Sequence, residues 1–240
     1  MILEIDIGNT RMKWRCLHDG AVRGRGSVVE GKYEEWVALI EKEYRPRLIR
    51  LACVANKKSL EWVRELAHRW RCKLRVAQTS IAAGGVHCGY DDPSSMGVDR
   101  WLAVIAAYHQ FKQACVVVDA GSAITVDLVR GDGQHVGGYI VPGFGMMEAG
   151  LSRGTNKVNV VLDKLSGIAP GVSTQEAVSH GCLLMIKAMV DSAAKDLACI
   201  EPSVQIVATG GDADSLIGVL GDKVEHVPEL VMDGLDIVVP

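Results

Sequence analysis

Apolar positions come in short runs and in stripes at helical spacing, and the two kinds alternate along the chain. Residues 1–6 form an apolar run that stops at Gly8-Asn9, and residues 10–17 and 21–29 read as two further strands joined at His18-Asp19-Gly20. Trp36, Leu39 and Ile40 share one face of a helix over 33–44, and Trp62, Val63, Leu66 and Trp70 share one face over 60–70. Residues 48–55 and 73–77 are strands that follow these helical stretches. Three strands followed by alternating helices and strands predict an α/β layer fold with a mixed sheet. Residues 84–97, with their glycines, Pro93 and Ser94-Ser95, have no period. They lead into a helix over 98–111 that carries Trp101, Leu102, Ile105 and Tyr108 on one face.

After Lys112-Gln113 the opening pattern returns. Strands are expected over 114–119, 123–129 and 134–141, then helices near 145–154 and over 174–199, a strand over 204–208 and a helix after Gly210-Gly211. Ile5-Asp6-Ile7-Gly8-Asn9 aligns with Val118-Asp119-Ala120-Gly121-Ser122, so a strand ending in Asp-x-Gly opens each half. A repeat on this scale predicts two similar lobes, residues 1–113 and 114–240, with a cleft between them.

Composition narrows the class. Of the 240 residues, 48% are hydrophobic and 23% charged, an ordinary soluble globular profile. A formal net charge of −3 gives no basic field to recruit nucleic acid or anionic lipid, so neither partner is expected. Two basic clusters, Arg45, Arg47 and Arg50, and Arg69, Arg71 and Lys73, read as solvated faces. Seven cysteines at wide spacings contain no C-x-x-C pair, which indicates neither a zinc site nor a redox dithiol and fits a reducing cytosol. Cys53, Cys115 and Cys182 read as small core residues. Glu4 and Asp6 in the first strand argue against a secretory leader. The longest clean apolar run, residues 101–108, is far short of the roughly twenty residues that a membrane helix needs, and the expected setting is the cytoplasm.

The two Asp-x-Gly turns carry the first chemistry. A strand that stops at Asp-x-Gly and turns straight back presents a carboxylate and several backbone N–H groups at one point, and the glycine lets a bulky anion come close. The N–H groups suit phosphate oxygens, while the carboxylate needs a cation between itself and the phosphate. Lys13, on the second strand, can add positive charge. A plain hairpin turn accounts for either motif alone; two at equivalent points of a repeat point to a nucleotide site. Thr209-Gly210-Gly211 after the 204–208 strand fits an adenine or ribose against the backbone. No Walker A, G-x-G-x-x-G or G-x-S-x-G sequence is present.

Beyond these turns stand Gly97-Val98-Asp99-Arg100-Trp101, Gly137-Gly138-Tyr139-Ile140-Val141-Pro142-Gly143 and Thr174-Gln175-Glu176-Ala177-Val178. Together with Asp6-Ile7-Gly8-Asn9-Thr10, Asp119-Ala120-Gly121-Ser122-Ala123 and Thr209-Gly210-Gly211, they make the chain resemble the type III pantothenate kinases of the actin, sugar kinase and Hsp70 ATPase superfamily. The resemblance spans nearly the whole chain. It implies two similar ribonuclease H-like lobes of mixed sheet and helices with an ATP cleft between them, and transfer of the ATP γ-phosphoryl group to the 4′-hydroxyl of pantothenate, the first step toward coenzyme A. It further implies Asp99 as general base, and a pantothenate pocket of Tyr90, Gly97, Val98, Asp99 and Arg100, with Thr174 contributed across a homodimer interface. ATP falls to Asp6, Ile7, Gly8, Asn9, Thr10, Arg11, Met12 and Lys13, mostly through backbone, and to Ser122. Asp119 matches the ligand of a monovalent cation (K⁺ or NH₄⁺), and Asp6 would meet Mg²⁺ through the phosphates. Two departures stand out: Ser122 where threonine is usual, and Thr155-Asn156-Lys157-Val158 where a threonine–alanine pair is usual.

Each assignment has a plainer rival. Asp99 also reads as an acid in the first turn of a helix capped by Ser94 or Ser95, where the dipole favours it by about 0.3–1 kcal/mol. Arg100 reads as a surface ion pair, Tyr90 as an edge of the core, and Thr174 as a helix cap with Ala177 at the position a capping box gives to Glu. His87, His109 and His180 have no metal spacing, and Leu183, Leu184, Met185, Ile186, Met189 and Val190 read as core or dimer face. A nucleotide-bound interaction module without chemistry is the alternative of a different class, and a kinase of another hydroxylated acid or sugar is a third.

Overall fold

The computed structural model describes residues 1–29, 32–54, 57–154, 167–221 and 223–240. The unusual Thr155-Asn156-Lys157-Val158 segment lies outside the described residues. In chain order the elements are β1 (Ile2–Ile7), β2 (Arg11–His18), β3 (Ala21–Val29), α1 (Tyr33–Glu43), β4 (Leu48–Cys53), α2 (Lys57–Arg69), β5 (Lys73–Val76), the short strands β6 (Ala82–Ala83) and β7 (Val86–His87), a 3₁₀ turn (Pro93–Ser95) and α3 (Val98–Phe111). Then follow β8 (Ala114–Ala120), β9 (Ala123–Val129), β10 (His135–Pro142), α4 (Phe144–Gly154), α5 (Thr174–Ala198), β11 (Val204–Thr209), α6 (Ala213–Leu220), β12 (Val224–His226) and α7 (Leu230–Val238). The periodic stretches therefore form the elements they predict. The short strands β6, β7 and β12, the 3₁₀ turn and α7 come in addition.

The chain folds as two compact units, each discontinuous in sequence. One comprises residues 1–84, 90–106 and 231–240; the other comprises 85–89 and 107–230. The first has a sheet in the order β3-β2-β1-β4-β5 and the second a sheet in the order β10-β9-β8-β11-β12. In both, the first three strands form an antiparallel meander, and the fourth and fifth add parallel to the first. The repeated sequence pattern is thus a repeated topology.

In the first unit the two-residue period of β1 divides it between two environments. Leu3, Ile5 and Ile7 join Ile40, Ile49, Leu51, Val63 and Leu66 in the core under α1 and α2. An aromatic cluster extends that core, with Trp36 at 6.4 Å from Trp14, 6.0 Å from Trp62 and 6.2 Å from Trp70 between ring centres. Glu4 alternates onto the opposite face and is fully buried. Arg15 on β2 and Arg50 on β4 stand directly beside it in register. Arg15 Nε and Arg50 Nη1 both donate to its carboxylate, the latter at 2.9 Å. Arg15 Nη1 also donates to Asp233 of α7 at 2.7 Å, and Arg50 to Asp236. Arg50 is therefore not part of a solvated basic face: it is 4% exposed and ties a sheet to a helix. At Gly234 a Cβ would lie 2.3 Å from the Leu102 carbonyl, so α7 meets α3 at a distance only glycine permits.

In the second unit Val116, Val118, Ile124, Val126 and Leu128 pack against Phe144 of α4, Leu216 of α6, and Leu183, Ile186 and Val190 of α5. Leu184 and Met185 of the same α5 stripe face outward. Cys115 and Cys182 are buried and Cys53 half-buried, in line with a role as small core residues. On the far face His135 Nε2 meets Asp127 Oδ1 at 3.1 Å, while the Gly89 N–H donates to His135 Nδ1 at 3.3 Å. The second bond requires a bare Nδ1, so Nε2 carries the proton and donates to Asp127.

Candidate active site

β1 ends in a tight turn closed by the Gly8 N–H on the Arg11 carbonyl at 3.1 Å. Asp6, at the carboxyl end of the strand, pairs in register with Lys13 on β2, so the two side chains leave the same face of the sheet. The side chains of Ile7 and Met12 are buried in the core, which leaves only their backbone to face a ligand. Gly8 does not carry a positive φ, and a Cβ there would touch the Arg11 carbonyl oxygen only at an ordinary 3.5 Å. The fold itself would accept a side chain at this turn. What the glycine supplies is open space in front of the N–H groups.

The equivalent turn of the second unit is more tightly built. The Gly121 N–H donates to the Ala123 carbonyl at 3.0 Å, the Gly143 N–H to the Ser122 carbonyl at 3.1 Å, and the Asp212 N–H to the Ala120 carbonyl at 2.9 Å. Two glycines from elsewhere in the chain allow this. A Cβ at Gly143 would lie 2.4 Å from the Gly121 and Ser122 carbonyl oxygens. A Cβ at Gly210, whose φ is +100°, would lie 2.3 Å from the Ala120 carbonyl oxygen and 2.6 Å from Asp119 Oδ1. The motif residues of β8, β10 and β11 thus converge on one half-buried carboxylate, Asp119, with Ser122 exposed beside it. Asp119 itself offers carboxylate oxygens, the donor type that alkali and alkaline-earth ions take. No group of three or more His, Cys, Asp or Glu residues capable of chelating a metal occurs among the described residues.

The third cluster belongs to the first unit, around the start of α3. Ser94 and Ser95 do not cap this helix. They sit in the preceding 3₁₀ turn, where Asp92 accepts from the Ser94 N–H at 2.9 Å and from its hydroxyl at 2.8 Å. Gly97 opens α3, its carbonyl accepting from the Trp101 N–H at 3.1 Å. Asp99 Oδ1 accepts from the Arg100 N–H at 2.8 Å, and a Cβ at Gly97 would stand 2.6 Å from that same oxygen. Arg100 is buried and no surface ion pair: its Nη1 donates to the Tyr90 hydroxyl at 2.8 Å, and its guanidinium lies 5.6 Å from the Tyr90 ring centre. Tyr90, Gly97, Asp99 and Arg100 are therefore one contiguous group, with Val98 buried beneath it. The Thr79 hydroxyl donates to the Met96 carbonyl at 2.9 Å, just before Gly97.

Thr174 is the first residue of α5 but not its cap. Ser173 accepts from the Glu176 N–H at 3.2 Å, and Glu176 reaches back to the Val172 N–H at 2.8 Å. This Ser-x-x-Glu cap occupies the position that the sequence assigns to Thr174, and leaves the Thr174 side chain exposed.

Residues 2–196 match the family model for type III pantothenate kinase. A type III pantothenate kinase of Ectopseudomonas mendocina (strain ymp) is 37% identical, over 100% of this chain and 99% of its own. The chain belongs to the type III pantothenate kinase family. It is accordingly an ATP-dependent kinase that phosphorylates pantothenate in coenzyme A biosynthesis, and nothing in these similarities favours a module that has lost its chemistry. A Baf family protein from Campylobacter jejuni has a TM-score of 0.64 at 22% identity, covering 99% of this chain and 96% of that one. The ROK hexokinase of Thermus thermophilus has a TM-score of 0.53 at 11% identity, covering 98% and 96%. These two speak for the fold alone, which is that of the actin, sugar kinase and Hsp70 ATPases. Within this pantothenate kinase, the clamping roles of Gly143 and Gly210 had a signal in the sequence, since both lie in motifs. Sequence reasoning took Thr174 as the candidate cap of α5 and missed Ser173, whose signal is Glu176 three residues on.

Proposed function

We propose that Asp99 is the general base of this pantothenate kinase, and that Tyr90, Gly97, Val98 and Arg100 form its pantothenate pocket with Asp99. The observation that supports this is the bond from the Arg100 N–H to Asp99 Oδ1 at 2.8 Å, made where Gly97 leaves room for it. A carboxylate fixed through one oxygen keeps the other oriented. The acceptor hydroxyl oxygen forms a bond to the γ-phosphorus as the bond to ADP breaks, and its proton passes to the Asp99 carboxylate. Phosphoryl transfer has a loose transition state, so the base needs position more than proton affinity. Arg100, held against Tyr90, offers a planar fork for the carboxylate of pantothenate.

ATP is assigned to Asp6, Ile7, Gly8, Asn9, Thr10, Arg11, Met12 and Lys13 in one unit and Ser122 in the other. Burial of the Ile7 and Met12 side chains favours a mainly backbone contribution. Asp119 is assigned a monovalent cation, K⁺ or NH₄⁺, and Asp6 an Mg²⁺ shared with the phosphates; when bound, these ions neutralise phosphate charge. The exposed Tyr139, Ile140, Met146, Leu184 and Met185 of the second unit favour a homodimer, to which Thr174 adds a contact with the neighbouring subunit's pantothenate. The reaction is placed in the cytoplasm; among the described residues no helix is long and apolar enough to cross a membrane.

Replacement Asp99→Asn tests the assignment. It should lower kcat by about 10²–10⁴-fold, the range for losing a general base, while ATP affinity and melting temperature stay near wild type. Turnover equal to wild type would remove Asp99 from the mechanism.

A further inference from the structure

The two basic clusters that stand apart in the sequence meet in the fold, at the end of the first unit's sheet away from the Asp6 turn. β4 and β5 are parallel with Leu48 beside Lys73, and the Lys73 N–H donates to the Arg47 carbonyl at 3.0 Å. The residues just before these strands therefore lie side by side. They line a pocket of about 330 Å³ formed by Glu41, Arg45, Pro46, Arg47, Trp70 and Arg71. β1 runs parallel to β4, so this pocket is at the amino ends of the strands and Asp6 toward the carboxyl end. A strand of this length separates the two by roughly 15–20 Å at 3.3 Å per residue.

Two features mark the pocket as more than a solvated surface. First, α1 and α2 both end with an arginine in the left-handed region, Arg45 at φ 47° and Arg71 at φ 51°; α3 ends likewise at Lys112, φ 52°, but only the two arginines converge on one pocket. The Tyr44 and Arg45 N–H groups both close on the Ile40 carbonyl at 3.0 Å, and the Cys72 N–H closes on the Ala67 carbonyl at 3.0 Å. Glycine is the residue that such helix ends favour, because a Cβ is strained there. Complementing the helix dipole does not require an arginine at that point, since Lys42 and Arg69 already lie in the last turns. Second, the acid in the pocket is already engaged. Glu41 Oε1 accepts from Trp70 Nε1 at 2.7 Å and from Arg69 Nη2, and these bonds hold its carboxyl below the usual carboxylate range. Among the described residues no carboxylate pairs with Arg45, Arg47 or Arg71. Trp70, hydrogen-bonded to Glu41 and 6.2 Å from Trp36 between ring centres, lines the pocket beside them.

We propose that this pocket is a second ligand site, for a small phosphate ester that carries a planar ring. Arg45, Arg47 and Arg71 present forked donors that fit phosphate oxygens, and the Trp70 indole receives the ring. The volume is at the small end of the ~300–1,000 Å³ range of ligand pockets, which fits a single ring system with one phosphate.

The probe is 4-methylumbelliferyl phosphate, followed by equilibrium dialysis on the full chain with a non-hydrolysable ATP analogue filling the catalytic site. The expected result is one saturable equivalent per chain, displaced by inorganic phosphate and weakened by raised salt. The double variant Arg45→Gly/Arg71→Gly suits both left-handed positions, so its melting temperature should hold or rise while probe affinity falls at least tenfold. Arg45→Gln/Arg71→Gln should show the same loss, and both variants should keep wild-type pantothenate phosphorylation without the probe. No retention by the wild-type chain, no displacement by inorganic phosphate, or retention unchanged in both variants would overturn the proposal. None of these outcomes bears on the role of Asp99.

Discussion

Arg100 is 6% exposed, and a guanidinium buried to that degree needs acceptors on more than one side. Tyr90 provides one through its hydroxyl and a second attraction through its ring. A lysine would keep the charge and lose the fork. Arg100→Lys should therefore raise the KM for pantothenate about 10–100-fold, the equivalent of one charge-assisted hydrogen bond at about 1.5–3 kcal/mol, with a smaller change in kcat. Steady-state kinetics at saturating ATP measure this, and an unchanged KM would separate Arg100 from the acceptor. At this scale the G-x-D-R motif was legible only through the family resemblance, since alone Asp99 reads equally as an acid at a helix start. The geometry adds a reason for its glycine, because a Cβ at Gly97 would lie 2.6 Å from Asp99 Oδ1. The cap of α5 was missed. Ser and Thr are near-equal caps, so Ser173-Thr174 cannot be ordered by preference, and only Glu176, three residues after Ser173, decides it.

Among elements, the strands and helices of the sheets were legible as apolar runs and stripes, and α7 was not. Its sequence, Leu230–Val238, has Gly234, Asp233 and Asp236 in place of good helix formers. Tertiary contacts supply what propensity lacks: the close seat on Leu102, and the bonds from Arg15 and Arg50. Burial pushes the Glu4 carboxyl up, while Arg15 and then Arg50 pull it back toward the charged form. Removing that carboxylate strands two buried guanidiniums. Glu4→Ala should cost about 3–5 kcal/mol in urea unfolding, the range for breaking one side of a buried ion pair. A loss under about 1 kcal/mol would mean that Asp233 and Asp236 alone satisfy the arginines, as for an exposed pair.

For the whole molecule, the repeat was the strongest legible feature: the Asp-x-Gly alignment predicts two similar halves, and the structure has two sheets of the same strand order. The discontinuity of each unit was not legible, because it depends on where residues 85–89 and 231–240 pack rather than on any local pattern. The assignment of a monovalent cation to Asp119 belongs to this scale as well, since three motifs from separate parts of the chain converge there. Replacing K⁺ by Na⁺ at constant Mg²⁺ should lower turnover about tenfold or more, a barrier change of about 1.4 kcal/mol, and Asp119→Asn should abolish the difference between the two salts. Equal rates of the wild-type chain in both salts would contradict the assignment.

We propose that this chain transfers phosphate from ATP to pantothenate with Asp99 as the base. ADP release, measured with pantothenate, with a panel of other hydroxylated acids and sugars, and with no acceptor, tests it most directly. Release should depend on pantothenate, be weak with the other acceptors and be lost in Asp99→Asn. Release that is indifferent to pantothenate, or greatest with another acceptor, would contradict it.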